Sequence, residues 1–193
     1  AQNIYDQTKI GFVYLPQHFQ AAHSFVTFRE QIGKRPPFAT AELVWCPIEG
    51  DCNLVAGFVH PPTEERFHET FKIRQRENYI LVKGLEGSCD LSRNRTGIIG
   101  VSQPGKDFDP HDYDLNGSDV VFESDSQAIA LIKAVIQGNQ NKLLPAAIFN
   151  GGFYLWRFGS TPALESGLTL AEEMLTKGKV ADKLAHLKSV VAG

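Results

Sequence analysis

The chain has 193 residues, 42% hydrophobic and 21% charged, with a formal net charge of −3 and a pI near 6.1. That suffices for one domain with a proper core, is too little for two large ones, and is too apolar for a disordered chain. No window reaches about 18 consecutive apolar residues, which excludes a membrane-spanning helix, and three cysteines (Cys46, Cys52, Cys89) exclude a disulfide-rich scaffold.

Gly11-Phe12-Val13-Tyr14-Leu15, stopped by Pro16, reads as a buried strand. Ala21, Phe25, Phe28 and Ile32 then recur at helical spacing up to Gly33, and Pro36-Pro37 forbids continuation. Asn53 to Val59 is the next expected strand, closed by Pro61-Pro62. Thr63 is expected to cap a polar helix reaching Glu77, with Glu64 and Glu65 in its first turn, where the helix dipole favours them. Tyr79 to Lys83 and Thr96 to Val101 complete the strands. Such alternation predicts an α/β fold with a mixed, partly parallel sheet flanked by helices.

Asp107 to Asp125 holds seven carboxylates and no Lys or Arg. A metal site is one reading; a solvated loop, with turn signals at Asp109-Pro110 and Asn116-Gly117, is the favoured one. Ser124 with Gln127 predicts a capping box for a helix that Gly138 stops. Leu143 to Phe158 is apolar nearly all round and predicts a buried helix. Thr161-Pro162 starts another that ends at Gly178, and Val180, Leu184 and Leu187 mark a last amphipathic helix. The whole, residues 1–193, reads as a single α/β domain with a helical C-terminal third. It opens Ala1-Gln2-Asn3, with neither an initiator Met nor a signal-type segment, so its start was processed or it belongs to a longer protein. Asn94-Arg95-Thr96 and Asn116-Gly117-Ser118 match the glycosylation pattern, but nothing else suggests secretion, and a cytoplasmic protein is expected.

General catalytic motifs are scarce. There is no phosphate-binding G-x-x-x-x-G-K-[ST] loop and no G-x-S-x-G elbow. Cys46 and Cys52 lack the histidines of a zinc site, and His18 and His23 fall on different faces of a helix, which suits surface or capping roles. Lys83-Gly84-Leu85-Glu86-Gly87 follows a strand; a ligand-approaching glycine turn and a plain tight turn share those letters. Cys89 beside Asp90 reads as packing before nucleophile. Arg66, Lys72, Arg74, Arg76, Arg93 and Arg95 suit phosphate contacts, although Glu64, Glu65, Glu69 and Glu77 interleave the first four and suit intrahelical ion pairs equally well.

Gly11-Phe12-Val13-Tyr14-Leu15-Pro16 and Phe28-Arg29-Glu30-Gln31-Ile32-Gly33-Lys34-Arg35 resemble the "GFLFAP" and "VRxxLGxR" stretches of anthranilate phosphoribosyltransferases. Asn150-Gly151-Gly152 through Gly159, Ala163-Leu164-Glu165-Ser166-Gly167, Leu170-Ala171-Glu172-Glu173 and Gly178-Lys179-Val180 are similar to the ending of that family, so the resemblance runs from about Lys9 to about Leu187. It implies a phosphoribosyltransferase of the nucleoside-phosphorylase-like class, which moves phosphoribosyl from its pyrophosphate to anthranilate with magnesium in tryptophan biosynthesis. Such enzymes join a small helical domain, through which they form homodimers, to a larger α/β domain. The chain corresponds to the C-terminal part of the latter. The helical domain, the donor-binding "GTGGD" loop and the "NxST" and "KHGNR" segments belong before Gly11, so the chain alone is expected to be inactive.

The resemblance places substrate binding on Arg29 and Arg35, a donor-proximal turn at Gly84, Glu86 and Gly87, and a metal ligand at Asp90. The pattern also departs. The family's histidine position falls at Phe19, and the "FNxxGPLxNP" wall becomes Phe38-Ala39-Thr40-Ala41-Glu42-Leu43-Val44-Trp45-Cys46-Pro47. The magnesium-binding "GLDE" becomes Gly87-Ser88-Cys89-Asp90, which trades one hard oxygen ligand for a thiol. Leu85-Glu86-Gly87 is similar to the "GTEGE" turn of bacterial paralogues that bind nucleic acid without catalysis. In that alternative Lys34, Arg35, Arg66, Arg74, Arg76, Arg93 and Arg95 contact phosphates, against a net charge of −3.

Overall fold

Tyr79-Ile80-Leu81-Val82 has no charged position, and a strand built from it needs cover on both faces. The computed structural model, which describes residues 2–32, 42–46, 48, 50, 52–101 and 106–192, supplies that cover. Four strands, β1 (Leu54–Gly57), β2 (Tyr79–Val82), β3 (Gly97–Val101) and β4 (Lys106–Phe108), form a sheet in the order β1-β2-β3-β4. β1 and β2 are parallel, Leu54 opposite Tyr79 and Gly57 opposite Val82. β3 and β4 each run antiparallel to the strand before them, with Gly100 opposite Leu81 and Asp107 opposite Ile98. The sheet is mixed, as expected.

Helices α1 (Gln2–Thr8), α2 (Leu15–His18), α3 (Gln20–His23) and α4 (Val26–Ile32) precede the sheet. α5 (Pro61–Ile73) links β1 to β2, and α6 (Asp125–Ile136), α7 (Leu144–Arg157), α8 (Leu164–Thr176) and α9 (Lys179–Ala192) follow the strands. Alternate residues of β2 serve different layers. Tyr79 and Leu81 join Phe58, Phe67 and Phe71 under α5, while Ile80 and Val82 join Phe149, Phe153 and Leu164 under α7 and α8. Phe149 is 0% exposed, a burial that contributes about 1.5–3 kcal/mol. Val135, Leu144 and Leu175 tie α6, α7 and α8 together.

Two glycines set the α7–α8 crossing. A β-carbon on Gly152 would lie 2.7 Å from the Leu168 Cα, and one on Gly167 would strike the Gly152 carbonyl, so the backbones touch where side chains would hold them apart. α1 packs on α9, with His186 Nε2 3.4 Å from the Gln7 carbonyl oxygen. No helix among the described residues is long and apolar enough to cross a membrane.

Several expected elements are corrected. Gly11–Tyr14 forms no strand: no neighbour among the described residues pairs with it, it is exposed, and Pro16 sits in the first turn of α2 instead of ending a strand. The helix expected through Ala21 and Ile32 breaks into α3 and α4 at Ser24, whose hydroxyl donates to the Ala21 carbonyl at 2.7 Å. Its expected stop, Gly33, lies outside the described residues. Thr63 does not cap α5. The helix starts at Pro61, with His60 at the cap position, because two prolines remove N–H groups that a cap would satisfy. α5 also ends at Ile73, short of Glu77. α8 begins at Leu164, later than Thr161-Pro162, with Ser166 Oγ accepting from Ala163 N at 3.3 Å.

Other readings hold with adjustment. Ser124 Oγ accepts from Gln127 N at 3.2 Å, while Gln127 Oε1 reaches Glu123 N at 2.9 Å, one residue ahead of the usual box. The acidic stretch begins within β4 and holds a 3₁₀ turn, Pro110–Tyr113, begun by Asp109, whose carboxylate accepts from His111 N and Thr96 Oγ1, both at 3.0 Å. Those bonds hold the Asp109 carboxyl below its ordinary pKa.

Candidate functional site

Because β1 and β2 are parallel, their carboxyl ends share one edge of the sheet, the place where α/β sheets take ligands. The chain leaving β2 crosses that edge as a 3₁₀ turn, Leu85–Gly87, preceded by Gly84 at its cap position, carrying Glu86 and Gly87 and leading to Asp90. Gly87 has φ +76°, and a β-carbon there would lie 2.5 Å from Val59 Cγ2. A β-carbon on Gly84 would meet the Ser88 and Asp90 carbonyls. These glycines let the turn fold onto the end of β1.

Four N–H groups of the turn and its exit are directed inward. Leu85 N donates to Asp90 O at 3.0 Å, Gly87 N to Gly84 O at 3.4 Å and Ser88 N to Leu85 O at 2.8 Å. Asp90 N donates to Ser88 Oγ at 3.1 Å. A phosphate cradle needs such donors aimed at the ligand; here they close the turn.

α7 anchors the exit of the turn. Asn150 Oδ1 accepts from Leu91 N at 2.8 Å and its Nδ2 donates to Leu91 O at 3.1 Å. Tyr154 Oη donates to Cys89 O at 2.5 Å. Burial, then the neighbouring Asp90 charge, raises the Cys89 pKa, and burial pushes the Tyr154 hydroxyl well above its ordinary value. Beyond the anchor a cavity of about 680 Å³ opens, walled by Leu91, Val120, Phe122, Ile132 and Leu143, with Asp90, Arg93 and Asp119 as its charged lining. Asn94 Nδ2 bonds the Asp119 carboxylate, and Arg93 donates from Nε to Leu115 O at 2.9 Å and from Nη2 to Asn116 O at 3.1 Å.

The structure thus gathers Gly84, Glu86, Gly87 and Asp90 in one turn. Arg29 is on α4, and its ion pair, 3.9 Å to Glu42, ties it to the segment entering β1. Arg35 and Lys34 lie outside the described residues. Arg74 Nη1 donates to Val44 O at 2.7 Å and Arg76 Nη1 to Gly50 O at 2.6 Å, so with Arg93 three expected phosphate contacts hold backbone carbonyls. Arg66 and Arg95 are exposed. Of the two histidines, His18 accepts from Tyr14 N through Nδ1 at 2.9 Å, a capping role, and His23 is exposed. Sequence reading missed Asn150 and Tyr154 as anchors; a polar side chain amid an apolar helix is the signal that marks Asn150.

A resident magnesium does not fit this donor set. Asp90 is one hard oxygen ligand, its neighbour Cys89 is a thiol whose pKa burial raises, and no group of three or more His, Cys, Asp or Glu converges among the described residues.

No family model matches the chain. The anthranilate phosphoribosyltransferase of Chromobacterium violaceum is 22% identical over 189 residues, covering 94% of this chain and 55% of its own length. That of Acidovorax sp. is 25% identical over 188 residues, covering 92% and 54%. The chain therefore spans about half the length of the curated relatives it matches. Among solved structures, the enzyme from Thermus thermophilus superposes with a TM-score of 0.79 at 20% identity, covering 95% of this chain and 56% of that one. The Saccharomyces cerevisiae enzyme in complex with PRPP and Mg gives 0.84 at 13% identity, covering 98% and 55%. In sequence and in fold, the chain is similar to the C-terminal part of the anthranilate phosphoribosyltransferases.

Proposed function

We propose that residues 1–193 form the C-terminal α/β portion of a longer anthranilate phosphoribosyltransferase-like protein and that its transfer centre is degraded. One observation carries this reading: the N–H groups of Leu85, Gly87, Ser88 and Asp90, in the turn at the carboxyl ends of β1 and β2, are spent on bonds within the turn, so they add nothing to the donor-binding loop that the resemblance places before Gly11. The Cys89-Asp90 pair supports it, because a protonated thiol does not replace a carboxylate beside a polyphosphate–metal complex. Arg29, the residue for the acceptor carboxylate by resemblance, is paired with Glu42. The nucleic-acid alternative has less support, since Arg74, Arg76 and Arg93 already hold carbonyls.

Calorimetric titration of phosphoribosyl pyrophosphate with Mg²⁺ into the full-length product containing this chain tests the proposal, followed by an anthranilate turnover assay. The expected result is no metal-dependent binding and no transfer from a protein shown folded by circular dichroism. Micromolar, metal-dependent binding with turnover, abolished in Arg29→Ala, overturns it.

A further inference from the structure

Two cysteines that the spacing left without a role meet in the fold. Cys46 Sγ lies 2.6 Å from Cys52 Sγ, within reach of a disulfide bond. Contacts on both sides hold the two cysteines near each other. Arg74 and Arg76, at the end of α5, grip Val44 O and Gly50 O on either side of Cys46. Val44 is buried in the core with Ala56 and Phe71, and Leu54 N donates to Asn78 O at 3.0 Å, so both flanks are fixed to the sheet. Each cysteine is half-buried, leaving access for a small reagent. Cys89 is the contrast, a thiol raised in pKa by burial and by Asp90.

We propose that Cys46 and Cys52 are a reversible dithiol–disulfide pair that locks the segment entering β1. The oxidant is a small-molecule disulfide. One cysteine, as thiolate, attacks it and releases one small thiol, forming a mixed disulfide. The second cysteine then displaces the other small thiol. Two electrons pass to the small disulfide, and the two cysteine protons end on the two thiols released. The locked segment carries Trp45, whose ring centroid is 4.8 Å from that of Phe19, and Glu42, the partner of Arg29. The state of the pair therefore governs how firmly α2 to α4 are held against the sheet.

The test exposes the whole chain to oxidised glutathione, blocks remaining thiols with iodoacetamide and maps the peptides. A Cys46–Cys52 cross-link with alkylated Cys89, reversed by dithiothreitol, is expected. Cys46→Ser and Cys52→Ser should each trap a glutathione adduct on the remaining partner. Hydrogen exchange at Leu43–Trp45 should slow roughly tenfold on oxidation. Alkylation of all three cysteines, a cross-link through Cys89, or equal exchange in both states overturns the proposal.

Discussion

The α7–α8 pair and the segment from Gly11 to Ile32 are both rich in large apolar residues, yet they end in opposite environments. Phe149 and Phe153 are 0% and 1% exposed, whereas Phe12, Phe28 and Ile32 are 62%, 57% and 59% exposed. The first pair has Gly152 and Gly167 to bring backbones together and a sheet face to cover. The second is divided into helices of four to seven residues that are too short to present a continuous face. Hydrophobicity marks a core only where another element comes within reach of it.

Phe149→Ala should show the largest effect, a loss of about 3–5 kcal/mol in urea unfolding, because it empties the layer beneath Ile80 and Val82. Tyr154→Phe should cost about 1 kcal/mol by removing the bond to Cys89 O. It should also reshape the alkaline limb. Tyr154 and Cys89 hold their protons in the fold above the ordinary values of 10.0 and 9.0. Their contribution is complete below those values and is lost as pH rises through the folded ones. Unfolding curves of Tyr154→Phe should therefore depend less on pH above 10.0, while the Cys89 contribution remains. At the other end of the comparison, Phe28→Ser should change stability by less than about 0.5 kcal/mol. A loss of several kcal/mol there would show that the 11–32 segment is part of the core after all.

Legibility follows the same division. Strands β1, β2 and β3 and helices α6 to α8 are readable because apolar period and the bounding Gly or Pro residues agree, and α9 is readable from its period alone. Gly11–Tyr14 misleads because β-rich letters say nothing about whether a partner strand exists. The glycine turn is visible as a turn, but the direction of its N–H groups depends on Ser88 and Asp90 folding back, which no local pattern encodes. The meeting of Cys46 with Cys52 rests on Arg74 and Arg76, contacts 30 and 26 residues apart in the chain, and is equally hidden.

The two-sided cover of β2 has a kinetic consequence. Its amides cannot reach solvent by peeling away α5 alone or α7 alone, since either layer leaves the other face and both neighbouring strands in place. The two layers therefore share a single cooperative opening unit, and amide protons of Ile80 to Val82 should exchange only through global unfolding.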